Sequence, residues 1–307
     1  MYFLPLVMVS LAVAGGFFFP DQFEGFWFLP FLISALFLGL PHGAADWGLL
    51  KRTVQKKGWQ GACGTVATYL SFILLAGVVT IAFPIVGLLL FLGVSAWHFG
   101  SADAYDFHKQ FKIAASHGTR TVNALARGVL IIAAPLAFQV ETMFQACDQW
   151  CGILEGSWLP EALMDDLERV GRFLLFYALL ILVGHSLSLL SEGSGKAVFM
   201  SLAEPLLLLG LFAITHPLFA LGYYFVCWHS LRHLSHLKPL RRRPNETGWL
   251  YRLAGPFWIP SLIVIAAFSL VTGNHTSPQS LTIILIIFFA IVTPAHQWLV
   301  HREVHAH

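Results

Sequence analysis

Charged residues are scarce in this chain, and their scarcity excludes most soluble proteins. Eighteen Lys and Arg and sixteen Asp and Glu among 307 residues amount to 11%, whereas a soluble domain carries about 25%. Hydrophobic residues make up 57% of the chain, and the mean hydropathy is +0.72. A soluble enzyme and a disordered tail are therefore excluded. The net charge of +2 provides no basic field for DNA or RNA, so we predict no nucleic-acid partner.

Cysteine is also scarce. The chain has four cysteines, and only Cys147 and Cys151 lie close together, four residues apart. A disulfide between successive turns of a helix has poor geometry, so a secreted disulfide scaffold is excluded and the cysteines are expected to be packing residues. No Lys or Arg precedes the first apolar run. Because a secretory signal begins with a basic region, we interpret this run as the first membrane span.

Long apolar runs, by contrast, are abundant. About 20 apolar residues cross the roughly 30 Å of hydrocarbon in a bilayer, and runs such as LTIILIIFFAIV at 281–292 are apolar on all sides, as in a helix, instead of alternating. We predict an all-α, polytopic helical bundle in the membrane, with residues 1–307 as a single transmembrane domain. About ten spans are expected, with eight or nine left open because some runs are short: 2–20, 25–40, 62–82, 84–99, 121–140, 171–190, 198–214, 216–234, 254–272 and 279–300.

The positions of Lys and Arg predict the orientation, because these residues are retained on the cytoplasmic side. With the N-terminus inside, all of the eighteen except Arg169 and Arg172 fall in inner segments. We therefore predict cytoplasmic N- and C-termini in the cell inner membrane. Residues 141–170 are then the one long outer loop, interpreted as an amphipathic cap.

Histidines are numerous for so apolar a chain. Ionisable groups inside a membrane are costly and usually mark a functional site. Five of the fourteen histidines fall at the inner ends of predicted spans and are expected at one depth: His42, His98, His229, His233 and His296.

The WHSLRH motif offers the best-defined ligand pair. His229 and His233 are four residues apart, so on a helix they lie one turn apart on the same face and can reach one metal ion. Neutral imidazole is a common ligand of iron, zinc, copper and nickel. The alternatives are a merely polar helix end, or His236 in place of one ligand.

His42 and His98 lie in similar surroundings, GLPHGAAD and WHFGSAD. Each is followed by glycine and then by an aspartate, Asp46 or Asp103. These carboxylates are expected to accept the second ring proton of an imidazole. The alternative is that each aspartate caps the next helix.

Other polar residues extend this candidate site. His296 follows Thr293-Pro294 and is a candidate for a further ligand, a hydrogen-bonding support or the pocket wall. His185 and Glu204 also fall towards the inner side, and Glu204 is expected to hydrogen-bond a ligand histidine. The remaining histidines are expected to be solvated: His108, His117, His216, His275, His301, His305 and His307.

The three motifs, in this order and at the inner ends of helices, resemble the Brp/Blh family of membrane carotene oxygenases. The resemblance implies cleavage of the central 15,15′ double bond of β-carotene by O₂ into two molecules of retinal. It also implies Fe(II) as cofactor, with His42, His98, His229 and His233 as metal ligands and catalytic residues. A microbial rhodopsin is the implied recipient of the retinal.

A substrate dissolved in the bilayer requires an apolar tunnel. The chain has 27 Phe, 10 Trp and 7 Tyr, although such residues also pack membrane helices or lie at its interfaces. The candidates nearest the predicted ligands are Trp97, Phe99, Tyr223, Tyr224, Phe225, Trp228 and Trp298.

Two other classes of function are left open by the residues alone. A different histidine-metal membrane oxidase or desaturase would normally carry several histidine boxes, whereas this chain has one HxxxH among its predicted ligands. A non-enzymatic metal or haem carrier would spread polar groups across the bilayer, whereas the predicted ligands lie on one side.

Overall fold

The structure is a computed structural model that describes residues 2–156, 159–191, 194–237, 248–273 and 277–302. Within these ranges the secondary structure is helical, with no strand, which confirms the all-α class. The helices are α1 Phe3–Phe18, α2 Pro20–Gly25, α3 Leu29–Leu36, α4 Gly39–Ala44, α5 Asp46–Ala82, α6 Pro84–Phe111, α7 His117–Phe138, α8 Val140–Glu155, α9 Leu163–Ser191, α10 Gly195–Ile214, α11 Pro217–Tyr223, a π-helical segment Tyr224–Ser230, α12 Leu231–Leu237, α13 Trp249–Val271 and α14 Pro278–Val300.

Eight helical stretches in the described residues are long and apolar enough to cross a membrane. They are Leu29–Thr53, Gly58–Ala82, Pro84–Phe111, His117–Phe138, Leu163–Ser191, Gly195–Ile214, Trp249–Val271 and Pro278–Val300. Apolar side chains such as Leu74 and Leu206 lie exposed on them, as expected for faces that contact lipid. The protein is therefore a polytopic membrane protein, and the lowest of the predicted span counts applies.

Two of the ten predicted spans are not among these eight stretches. Segment 2–20 contains α1, whose 16 residues extend about 24 Å, less than the roughly 30 Å hydrocarbon layer. Segment 216–234 is divided among α11, the π-helical segment and α12. The predicted boundary between spans 62–82 and 84–99 is confirmed, because α5 ends at Ala82 and α6 begins at Pro84.

Helix α5 contains a sharp change of direction at Gly58. Its φ of 66° and ψ of −176° are outside the helical region, and a positive φ is readily adopted only by glycine. The residues on either side of Gly58 consequently belong to two different spans.

The chain forms two compact units. The first unit comprises Met1–Pro30, Ser95–Ala146 and Leu159–Arg232. Helices α1, α7, α9 and α10 pack together in it, and its core includes the fully buried Ile131, Leu211, Phe212 and Trp228. Within this unit α6 and α7 touch backbone to backbone, since a Cβ on Gly128 would lie 1.7 Å from the carbonyl oxygen of Ala96.

The second unit comprises Phe31–Val94, Cys147–Trp158 and His233–His307. Here α14 packs along α5, and α13 packs on α4 and α5. The core between α5 and α14 consists of Leu49, Leu50, Tyr69, Ala295, Leu299 and Val300. This packing brings two distant stretches of chain side by side and so positions the polar residues described below.

Two smaller predictions concern the cysteines and the segment 141–170. Cys147, Cys151 and Cys227 are buried and form no disulfide, as expected of packing residues, whereas Cys63, also outside any disulfide, is exposed. Most of the first half of segment 141–170 lies in the helix α8. Its location on the outer side, and the single domain over 1–307, stay predictions.

Candidate metal centre

In the first unit, His98 on α6 and His229 on the π-helical segment form a buried imidazole pair. Their ring centroids are 4.6 Å apart with the planes at 65°, and the residues are 3% and 1% exposed. Phe225 stacks on His229 with centroids 6.0 Å apart, and the Phe99 ring lies 4.9 Å from it. Two aromatic side chains thus lie against His229, one of the predicted ligands.

Asp103 connects the two elements that carry this pair. Its carboxylate accepts hydrogen bonds from the Tyr224 hydroxyl at 3.1 Å and from the Trp228 Nε1 at 3.1 Å. The guanidinium of Arg232 lies 3.6 Å away. Asp103 therefore contacts the chain on both sides of His229, at Tyr224 and Trp228 in the π-helical segment and at Arg232 in α12. Asp103 was predicted either to accept an imidazole proton or to cap a helix. Among the described residues it does neither, because it lies inside α6 and its carboxylate contacts Tyr224, Trp228 and Arg232.

Glu204 is the acidic centre of the same buried network. It accepts hydrogen bonds from Arg127 at 2.8 Å, from Arg232 at 2.7 Å and from the Tyr2 hydroxyl. The predicted histidine partner is therefore wrong within the described residues. A carboxylate that is 0% exposed requires charged donors, and guanidinium groups provide them with suitable geometry.

The two arginines of this network were missed by the sequence analysis. Both were counted among the charges of the inner segments, but Arg127 is 5% exposed and Arg232 is 4% exposed. The available signal was their location: each lies within an otherwise apolar stretch where an unpaired charge would be costly.

In the second unit, three imidazoles approach one another. The ring centroids of His42 and His233 are 5.2 Å apart, those of His42 and His296 are 5.4 Å apart, and those of His233 and His296 are 5.6 Å apart. The three residues are 3%, 3% and 6% exposed in that order. Helices α4, α12 and α14 thus bring together two predicted ligands and the candidate His296.

Hydrogen bonds define the tautomers of two of these rings. The Nδ1 of His296 lies 2.9 Å and 3.0 Å from the two carboxylate oxygens of Asp46, and the Nδ1 of His42 lies 3.3 Å from the Leu38 carbonyl oxygen. A neutral ring that donates from Nδ1 has its lone pair on Nε2, the form that binds metals. The imidazole beside Asp46 is therefore that of His296 and not that of His42.

Both groups of imidazoles have dimensions that suit a metal ion. A histidine nitrogen binds a metal at about 2.0–2.1 Å, so the ring centroid lies about 3.2 Å from the ion. Two such centroids are about 4.5 Å apart at a right angle and about 5.5 Å apart at 120°. The separation of 4.6 Å in the first unit and those of 5.2–5.6 Å in the second correspond to these values. The donor set is all imidazole, which suits iron as well as zinc, copper and nickel.

The remaining histidines are only partly as predicted. His117 and His301 are exposed as expected, and His216 is half-buried, so its predicted solvation holds only in part. His108 is 7% exposed, so its predicted solvation is wrong. Its ring packs 5.7 Å from that of His185, another buried candidate of the first unit, at an end of α6 where the neighbouring Phe107 belongs to the core. The side chain of His236 and the residues His275, His305 and His307 lie outside the described residues.

The aromatic residues predicted to line a tunnel are in several different environments. Phe99 and Phe225 surround His229, whereas Tyr224 and Trp228 are fully buried in the core of the first unit. Tyr223 donates to the carbonyl of Met8 at 3.0 Å. Trp97 is half-buried, and Trp298 packs against Phe72 in the second unit. A tunnel built from these residues stays a prediction.

A polytopic helical membrane protein with buried imidazole groups on its helices is the class that these observations define. Residues 33–302 match the family model of β-carotene 15,15′-dioxygenase, and the chain belongs to that family. The chain is also similar to the probable β-carotene 15,15′-dioxygenase Blh of Halobacterium salinarum, with 27% identity over 216 residues, 68% of this chain and 61% of that protein. It thus spans somewhat less than two thirds of that relative's length. No solved structure matches the chain. The resemblance seen in the three motifs is confirmed.

Proposed function

We propose that the protein cleaves the central 15,15′ double bond of β-carotene with O₂ and releases two molecules of all-trans-retinal. The family match over residues 33–302 is the observation that carries the proposal, and the name of the Halobacterium relative supports it. The eight apolar spans support it further, because β-carotene is a hydrocarbon that dissolves in the bilayer. The reaction balances without a further reductant, since each oxygen atom of O₂ ends in one of the two aldehydes.

We propose non-haem Fe(II) as the cofactor, with His42, His98, His229 and His233 as its ligands. All four residues are buried, and each lies beside another imidazole at a separation that suits a shared ion. His229 and His233 are also four residues apart in consecutive helical elements. When bound, the iron would supply the redox chemistry that lets O₂ react with the polyene.

The residues of the chain would contribute orientation and the exclusion of water. The Leu38 carbonyl keeps the Nδ1 proton of His42 in place, and Asp103 holds the segment that carries His229. Phe99 and Phe225, beside His229, offer an apolar surface for the polyene. Because the double bonds of the polyene are chemically similar, selectivity for the 15,15′ bond requires that this bond be held next to the site.

The cellular context is proposed from the sequence. The distribution of Lys and Arg favours a cell inner membrane location with both termini in the cytoplasm. The β-carotene would then enter from the bilayer, and the family resemblance suggests a microbial rhodopsin as the recipient of retinal. A reporter that works only in the cytoplasm should be active when fused to either terminus. Activity of a reporter that works only in the periplasm, at either terminus, would contradict this orientation.

Expression in a carotene-accumulating bacterium tests the activity. We expect bleaching of the cells and about two molecules of retinal for each β-carotene lost, measured by chromatography. The H42A variant serves as the inactive control. Intact β-carotene in cells that contain folded, iron-loaded protein would overturn the proposed substrate.

Single alanine replacements of the four histidines test the ligands. Each variant should contain less iron by elemental analysis and should lose turnover, because one donor of the site is removed. Replacement of the exposed His117 is the matched control and should leave iron content unchanged. A variant that keeps its iron removes that histidine from the ligand set.

A further inference from the structure

We infer that His296 is a further ligand of the iron, and that Asp46 and Tyr69 hold its ring in the metal-binding orientation. The inference rests on the proposed function and deepens it. It concerns residues of the second unit only, and it follows from three observations on the ring positions, the hydrogen bonds and the packing.

The first observation is the arrangement of His42, His233 and His296. Their centroid separations of 5.2, 5.4 and 5.6 Å describe a nearly equilateral triangle. The point equidistant from the three corners lies about 3.1 Å from each centroid, close to the roughly 3.2 Å expected between an ion and the centroid of a ligating imidazole. The rings are inclined at 68°, 85° and 67° to one another, so they meet edge to face instead of stacking. His296 therefore lies as close to His42 and His233 as these two proposed ligands lie to each other.

The second observation is the hydrogen-bond chain behind His296. Both carboxylate oxygens of Asp46 are within 3.0 Å of its Nδ1, and the Tyr69 hydroxyl donates to Oδ2 of Asp46 at 3.1 Å. Asp46 is 1% exposed. A carboxylate that accepts the Nδ1 proton fixes the tautomer, sets the ring plane and makes Nε2 a better donor to a metal. Such partners typically change metal affinity about 10–100-fold when they are removed.

The third observation is the rigidity of the support. Asp46 begins α5, Tyr69 lies on the same helix beyond the bend at Gly58, and His296 lies on α14. The apolar core between the two helices includes residues close in sequence to Asp46 on α5 and to His296 on α14: Leu49, Leu50, Ala295, Leu299 and Val300. Tyr69 belongs to the same core. This apolar packing holds α5 against α14 where the Asp46 carboxylate and the His296 ring meet.

A buried histidine-aspartate pair with a purely structural role is the alternative. It predicts that removal of His296 lowers the stability of the metal-free protein but leaves the metal site as it was. The ligand role predicts a change in the metal site itself. Metal affinity and the spectrum of a bound metal distinguish the two.

The test uses the purified full-length protein, made metal-free and titrated with Fe(II) without oxygen and, separately, with Co(II) as a spectroscopic probe. H296A should bind Fe(II) at least tenfold more weakly and should show altered Co(II) ligand-field bands. D46N, which keeps the size of the side chain, should weaken binding about 10–100-fold. Y69F, one step further away, should have a smaller effect in the same direction.

Matched controls separate this effect from general damage. H108A removes a buried imidazole that lies beside His185 in the first unit, and Y177F removes the hydroxyl of an exposed tyrosine. Both should bind Fe(II) and Co(II) as the wild type does. If H296A also binds with wild-type affinity and an unchanged Co(II) spectrum, the inference is overturned while the proposed function stands. Failure of the wild type itself to bind iron would instead overturn the proposed function.

If H296A does not fold, D46N and Y69F carry the test. Graded losses of affinity with altered Co(II) bands in these two variants would support the inference. Unchanged affinity and bands in D46N would overturn it.

Discussion

At the scale of single residues, the first unit is organised around buried charge. Glu204 contacts Arg127 and Arg232, and Asp103 lies beside Arg232, so two cations balance two anions. The guanidinium of Arg232 also lies 4.1 Å from the ring centroid of Trp228, the residue before His229. Burial of each charge is costly alone, and the mutual contacts offset this cost. These contacts thereby help to hold in place the segment that carries His229, a proposed ligand.

Replacement of Glu204 by glutamine is expected to be strongly destabilising. The change leaves two guanidinium groups buried without their shared anion, a situation that typically costs about 3–5 kcal/mol. Asp166→Asn is the control, since Asp166 and its partner Arg169 have side chains that are 62% and 76% exposed, and such pairs contribute about 0–1 kcal/mol. Denaturation of the purified variants measures both. Equal effects of the two changes would contradict the assigned role of Glu204.

At the scale of elements, the contact between α6 and α7 depends on glycine. A Cβ on Gly100 would lie 1.8 Å from the Ala124 carbonyl oxygen, and one on Gly128 would lie 1.7 Å from that of Ala96. Neither clash can be relieved by rotating a side chain, because the atoms met are backbone. The two contacts flank His98 on α6, so the glycines set the position of that imidazole relative to the rest of the first unit.

Gly128→Ala should therefore destabilise the protein and disturb His98. We expect a loss of at least about 1–3 kcal/mol, together with weaker iron binding. Gly93→Ala is a control on α6 itself, where an added Cβ meets no atom within 4 Å. That change should be neutral or stabilising by about 0.5–1 kcal/mol, because alanine favours helix more than glycine does. Thermal denaturation and iron content measure the difference, and a stable G128A variant with full iron would contradict the packing argument.

His216, at the start of α11, makes the stability contributed by this helix cap depend on pH. The Nδ1 of His216 accepts a hydrogen bond from the backbone N–H of Leu218 at 3.2 Å, and its ring stacks on Trp27 at 4.8 Å. Burial lowers the pKa of His216 to about 4 from its ordinary 6.5. The neutral cap therefore contributes its full stability above about pH 6.5, and this contribution is lost as the pH falls towards about 4.

His216→Asn isolates this contribution, because asparagine caps a helix without titrating in this range. The difference in unfolding free energy between wild type and variant should be constant above about pH 6.5 and should shift against the wild type between about pH 6.5 and pH 4. Denaturation curves at several pH values measure it. Parallel pH profiles of the two proteins would show that His216 does not titrate in this way.

At the scale of the whole molecule, iron binding and stability are linked. A ligand that binds only the folded protein stabilises it, by about 2.7 kcal/mol when its concentration is 100 times the Kd. Protonation of imidazoles competes with the metal, so acid should release the iron. The proposed site therefore makes the stability of the entire protein depend on metal and pH together.

Removal of iron with a chelator should lower the Tm of the wild type, and added Fe(II) should restore it in proportion to its concentration. H42A should show neither response, whereas H117A should show both. Differential scanning measurements with and without chelator provide the comparison. A Tm that is independent of iron in the wild type would argue against a site that is formed only in the folded state.

Features that depend on local composition could be predicted from the sequence. Apolar runs of spanning length predict membrane helices wherever they occur, and the break at Phe83-Pro84 follows from the chemistry of proline alone. The spacing of His229 and His233 likewise depends only on the helical repeat. The three motifs were sufficient for the family, because they are short stretches whose residues are adjacent in the chain.

The pairing of the buried polar groups, by contrast, depends on how the whole chain folds. Asp46 and His296 are 250 residues apart, and Glu204 lies 77 residues from Arg127, so no local spacing indicates either pair. A neighbouring motif suggested a histidine as the partner of Asp103, and depth in the membrane suggested one for Glu204. The folded chain instead supplies arginine, tyrosine and tryptophan. The physical reason is that a buried charge takes the best donors that packing brings within reach, and helix packing is decided by apolar contacts over the whole chain.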